Sequence, residues 1–106
     1  MSESAEQTIL VGKSHPKFYA AAAASAFANG ASKVVLKARG RAISRAVDAS
    51  QIVSRVPGVR IGPISIGSER RVQRDGRARD LSTIEIIMEL ESVPKKALKR
   101  EHPPQK

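Results

Sequence analysis

Lys37-Ala38-Arg39-Gly40-Arg41-Ala42-Ile43-Ser44-Arg45 joins two kinds of periodicity in one short stretch. A β-type run, Val34-Val35-Leu36, leads into it. A helical pattern leaves it, with Ala42, Ile43, Ala46, Val47, Ala49, Val53 and Val56 at spacings of three and four. The junction therefore reads as strand, glycine hinge and helix start, carrying four cations and no anion within the stretch. Glycine permits a backbone path that a side chain forbids, and a helix start offers unpaired N–H groups and positive dipole. Together they make an anion site, phosphate first. The alternative is a solvated turn whose arginines only keep the protein soluble.

Upstream, Thr8-Ile9-Leu10-Val11 reads as a short strand closed by Gly12. Ser14 suits a helix cap and Pro16 the first turn of the helix that follows. Phe18 to Asn29 is mostly alanine, the best helix former, and Asn29-Gly30 ends it. The second strand runs from Lys33 to Arg39, with Val34, Leu36 and Ala38 on one face. The second helix runs from about Arg41 to Val56 and stops at Pro57-Gly58. Two β-α units in succession call for parallel strands with the helices packed on the sheet.

Downstream, the apolar phase shifts between Val59/Ile61 and Ile64/Ile66 across Gly62-Pro63, which predicts a bulge or bend. In Leu81 to Leu90, Ile84, Ile86, Met88 and Leu90 share the inner face. Outward Ile87 hints at an oligomer interface. Between these strands lies an arm at about residues 69–80, where Asp75-Gly76 is a hairpin turn signal. Arg70, Arg71, Arg74, Arg77 and Arg79 line it, with almost nothing apolar to bury. Guanidinium forks suit a groove or a phosphate backbone, while Glu69, Asp75 and Asp80 keep open a solvated hairpin held by ion pairs.

The expected organisation is a loose terminus over residues 1–7, one domain over 8–91, and a basic tail over 92–106. The tail carries Pro94, Pro103 and Pro104, and reads as a short helix or a disordered arm. A net charge of +9 points to a polyanionic partner, nucleic acid ahead of anionic membrane. With no cysteine there are no disulfides, which fits a reducing compartment. Phe18 to Ala28 mimics a secretory segment, but Glu3 and Glu6 sit where a basic leader belongs and alanine is only weakly apolar. No run approaches membrane-spanning length, and the alanine helix lacks the bulky apolar face of a membrane-surface helix. A soluble, cytoplasmic protein is expected.

Catalysis finds little support. His15 and His102 are far apart with no metal-ligand spacing, and Ser44 with Asp48 lacks a histidine to complete a triad. Neither enzyme activity nor a cofactor is expected.

The motifs Lys37-Ala38-Arg39-Gly40-Arg41-Ala42-Ile43-Ser44, Ala46-Val47-Asp48, Ile66-Gly67-Ser68, Asp75-Gly76-Arg77 and Ser82-Thr83-Ile84-Glu85-Ile86 resemble the Alba family of small basic archaeal chromatin proteins. The resemblance spans roughly residues 8 to 90. It implies an α/β fold of the two-layer α+β kind, β-α-β-α-β-β, with a mixed four-stranded sheet, two helices on one face and a projecting hairpin. It also implies a dimer that binds double-stranded DNA, and RNA, with little sequence preference, and so association with the chromosome. The expected contacts are Lys37, Arg39, Arg41 and Arg45 with the five arm arginines. By resemblance, Tyr19, Lys13 and Lys17 join them, one of the two lysines being an acetylation target. Which lysine stays open, because Gly12-Lys13 is followed here by Ser14-His15-Pro16-Lys17. Val56-Pro57-Gly58 lacks the aromatic that many relatives carry for packing dimer on dimer. The resemblance thus leaves room for weak cooperativity alone and for a heterodimer with a paralogue that has the aromatic.

Overall fold

The computed structural model describes residues 6–91. Its elements are β1 (Glu6–Leu10), α1 (Pro16–Ala28), β2 (Lys33–Arg39), a 3-10 turn (Gly40–Ala42) leading into α2 (Ile43–Val53), β3 (Val59–Val72) and β4 (Ala78–Leu90). The sheet order is β1-β2-β4-β3, with β1 parallel to β2 and the other neighbours antiparallel. This is the mixed four-stranded α+β arrangement expected. Glu6 and Gln7, expected to be loose, pair with Lys33 and Val34 instead. The basic tail over 92–106 lies outside the described residues.

One layer of small and branched side chains holds the sheet to the helices. Val34, Leu36 and Ala38 of β2 and Ile84, Ile86 and Met88 of β4 are buried against Ala20, Ala23 and Phe27 of α1 and Ala46, Ala49 and Val53 of α2. Alanine at these helical positions lets backbones approach the sheet closely. Leu90, expected to face inward, is 37% exposed at the strand's last residue.

The helix ends explain two shifted boundaries. His15, not Ser14, caps α1: its Nδ1 accepts from the Lys17 amide at 3.1 Å. Ser14 lies one residue earlier and hydrogen-bonds the Tyr19 hydroxyl through both its amide and its side chain. At the other end Gly30 adopts φ +107°, and the Ala31 amide reaches Ala26 O at 3.0 Å. That left-handed glycine cap was legible in Asn29-Gly30. Helix α2 starts later and stops earlier than expected. Gly40, at φ +59°, turns the chain off the strand into the 3-10 turn. Before Pro57, where α conformation is disfavoured, the chain tightens into i→i+3 bonds, Arg55 to Ile52 and Val56 to Val53.

Strand β3 carries the expected bulge, a register shift between Ile61 and Ile64 at Gly62-Pro63. Strand β2 ends opposite Thr83, so beyond that point β4 pairs only with β3. The two continue as a free ribbon to the pair Val72/Ala78. Two bonds of 2.8 Å, Gln73 amide to Arg77 O and Gly76 amide to Gln73 O, close a three-residue loop with Gly76 at φ +86°. Every residue from Arg70 to Asp80 is exposed, and the molecule is drawn out to 60 Å along its longest axis. The arm has no core of its own; its turn chemistry, its ladder and exposed ion pairs shape it.

Candidate nucleic-acid interface

The carboxyl ends of β1 and β2 gather three basic segments. They are the loop after β1, the Gly40 turn after β2, and the base of the arm, which leaves the sheet beside Arg39 and Thr83. The loop is held from below. The Tyr19 hydroxyl accepts the amides of Gly12 at 2.9 Å and Ser14 at 3.0 Å. Nη1 of Arg45 donates to Gly12 O at 3.0 Å. Hydrogen bonding from Ser14, chiefly its side chain, draws the Tyr19 phenol below its ordinary pKa, helped by the Gly12 amide and the nearby Arg45 charge. Tyr19 and Arg45 therefore position the loop that presents Lys13 and leads to Lys17 on the first turn of α1; both were expected as contacts. No side chain caps the Gly40 turn or the start of α2, so no protein oxygen from a side chain competes for their first amides.

The outer face of the sheet, away from the helices, is where the structure departs most from a bare cationic stretch. In-register rows bring Lys37 opposite Glu85 and Arg39 opposite Thr83. Nζ of Lys37 lies 3.3 Å from Glu85. Nη1 of Arg39 donates to both carboxylate oxygens of Glu69, at 3.0 and 3.1 Å. On the arm, Arg70 pairs with Asp80 at 3.5 Å and Arg77 with Asp75 at 3.8 Å. These are exposed pairs, each worth about 0–1 kcal/mol, but they occupy the forks they hold.

The expected contacts thus split into two sets. Lys37, Arg39, Arg45, Arg70 and Arg77 have protein partners, and Tyr19 is an internal brace. Lys13, Lys17, Arg41, Arg71, Arg74 and Arg79 have none among the described residues. Arg71 and Arg79 even face each other directly across the ribbon. Like charges placed so are destabilising, and an oxyanion between them removes the repulsion.

Sequence reasoning missed two things. The acidic partners Glu69 and Glu85 come from strands far along the chain, and only the sheet register pairs them with the junction. Phe18, beside Lys17 on the first turn of α1, is 61% exposed, although the chain has few aromatics to spare. Among the described residues no His, Asp and Glu cluster has metal-binding geometry.

Comparisons with known proteins bear on this surface. The family model described as Alba matches residues 7–68. The chain is 46% identical over 89 residues to a DNA/RNA-binding protein Alba of Nitrosopumilus maritimus, covering 81% of this chain and 93% of that protein. It is 44% identical to the protein of the same name in Pyrobaculum islandicum, covering 80% and 96%. Among solved structures, Alba from Thermoplasma volcanium superposes with a TM-score of 0.72 at 33% identity, covering 77% of this chain and 98% of that one. ALBA1 from Trypanosoma brucei shares the fold, with a TM-score of 0.64 at 18% identity over 89% of this chain and 77% of that one.

Proposed function

The chain belongs to the Alba family, and from that premise we propose that it is an architectural protein that coats or compacts double-stranded DNA with little sequence preference. The observation that carries this reading is the set of six unpartnered cations spread over the loop after β1, the Gly40 turn and the arm. Charge without convergent polar or hydrophobic side chains recognises a repeating phosphate backbone, not a base edge. The arm's arginines are suited to a minor groove, where narrow width concentrates negative potential. RNA is the second reading, because the relatives are named for both polymers and phosphate contacts read both. The role is binding, not catalysis, and its place is on the chromosome in the cytoplasm. No described helix is long and apolar enough to cross a membrane. Acetylation of Lys13 or Lys17 removes one of the unpartnered charges and so weakens binding.

Arg41→Ala tests the reading. We expect about fivefold weaker binding for unrelated duplex sequences alike, because a phosphate contact carries no base identity. Arg39→Ala should cost less, since Glu69 already holds that side chain. Fluorescence titration of several duplexes measures both, and a loss confined to one sequence would show base readout instead.

A dimer belongs to the same proposal, a homodimer first and a heterodimer with a paralogue second. Outward Ile87 does not mark the exposed apolar surface: it is half-buried, opposite buried Val35. Beyond the bulge, Ile64 and Ile66 lie opposite Ile86 and Ile84 on the helix side, on the edge strand, and are 54% and 82% exposed. Such a patch calls for a partner surface. Ile66→Glu is expected to shift the protein to monomer in sedimentation velocity; an unchanged dimer would move the interface elsewhere.

A further inference from the structure

Arg39 and Glu69 are thirty positions apart and lie on strands that do not touch, because β4 runs between β2 and β3. To meet, they reach across the row Arg39–Thr83–Gly67. Gly67 presents no side chain on that path, and a Cβ there would stand only 3.2 Å from Thr83 Oγ1. Both oxygens of the carboxylate then lie on one guanidinium nitrogen. Carboxylate and phosphate are bound by guanidinium through the same N–H···O geometry. The two side chains are 51% and 42% exposed, so a solution anion can reach the pair and exchange with it.

We infer that Glu69 is an internal phosphate surrogate. In the free protein it occupies Arg39, and nucleic acid gains that arginine only by displacing it. Glu69 thereby lowers affinity, and its displacement also unties the arm base from the body, since the pair spans β2 and β3. This rests on the nucleic-acid reading above. Lys37 and Glu85 differ: they are direct cross-strand neighbours, so Glu85 stays beside Lys37 whatever binds.

A two-by-two titration of one labelled duplex at low salt tests it, using the whole chain. The variants are wild type, Glu69→Gln, Arg39→Ala and the double variant, with Glu6→Gln as control for lost negative charge alone. Glu6 is exposed and has no ion-pair partner among the described residues. Glu69→Gln is expected to bind about fivefold tighter, the size of one exposed ion pair released. Glu6→Gln should gain less than about twofold, its charge being screened over distance. In the Arg39→Ala background the Glu69→Gln gain should fall to the control's level. A gain equal in both backgrounds, or no gain over a wild type that binds, overturns the surrogate and leaves the nucleic-acid function standing. Absence of binding in every variant overturns both.

Discussion

Raising salt from 50 to 200 mM is expected to weaken duplex binding by about 10³- to 10⁵-fold, with a log–log slope of about −5 to −9. Those limits correspond to about six to ten phosphates neutralised by a dimer, and each neutralised phosphate releases about 0.9 counterion. Six of the expected contact cations on each chain have no partner among the described residues, so a dimer has enough free charge without breaking a pair. The large exposed apolar side chains beside these cations in sequence are Leu10, Phe18 and Val72, three against six charges. A hydrophobic contribution that would flatten the salt response is therefore small. Titration of one duplex at four salt concentrations measures the slope. A slope flatter than about −2 would mean that these unpartnered cations do not meet phosphates.

Replacing Arg71–Arg79 with a tight turn is expected to lower duplex affinity by about 10²-fold while leaving the unfolding midpoint nearly unchanged. Arg71, Arg74 and Arg79 are the unpartnered arginines of the arm. At about 1 kcal/mol for each exposed charge-assisted contact, their loss sums to about two decades. The salt slope should also become shallower by about three, for the same three contacts of one arm on the duplex. Stability is spared because every residue in the excised segment is exposed and none belongs to the core cluster. Chemical denaturation and anisotropy on the same preparation check both halves. Equal affinity with and without the arm would return its arginines to ordinary solvated surface.

The expectation of weak cooperativity turns on the connection before β3. Val56 is 37% exposed and Gly58 stands at φ +89°, where a residue with a side chain is strained. An aromatic buries far more area than either residue offers, so the connection before β3 is a poor site for packing dimer on dimer.

Much of the fold was legible in local patterns. The alternation Val34, Leu36, Ala38 fixed both the bounds and the buried face of β2, because strand side chains alternate with period two. The phase break at Gly62-Pro63 announced the bulge, and Asp75-Gly76 the turn, since glycine and proline act on the backbone within one or two residues. Helix ends were less legible: the cap is His15, whose Nδ1 accepts the Lys17 amide, while Ser14 hydrogen-bonds the hydroxyl of Tyr19, five residues on. The number and kind of cations were also plain from the chain. Which of them are free was not. Lys37-Ala38-Arg39 carries no acid nearby in sequence, yet the antiparallel register sets Glu85 against Lys37 and brings Glu69 to Arg39 across thirty positions. Charges couple strongly only over a few ångströms. Sequence fixes such distances within a turn or a strand; between strands they follow from the register, and that is set by the buried face.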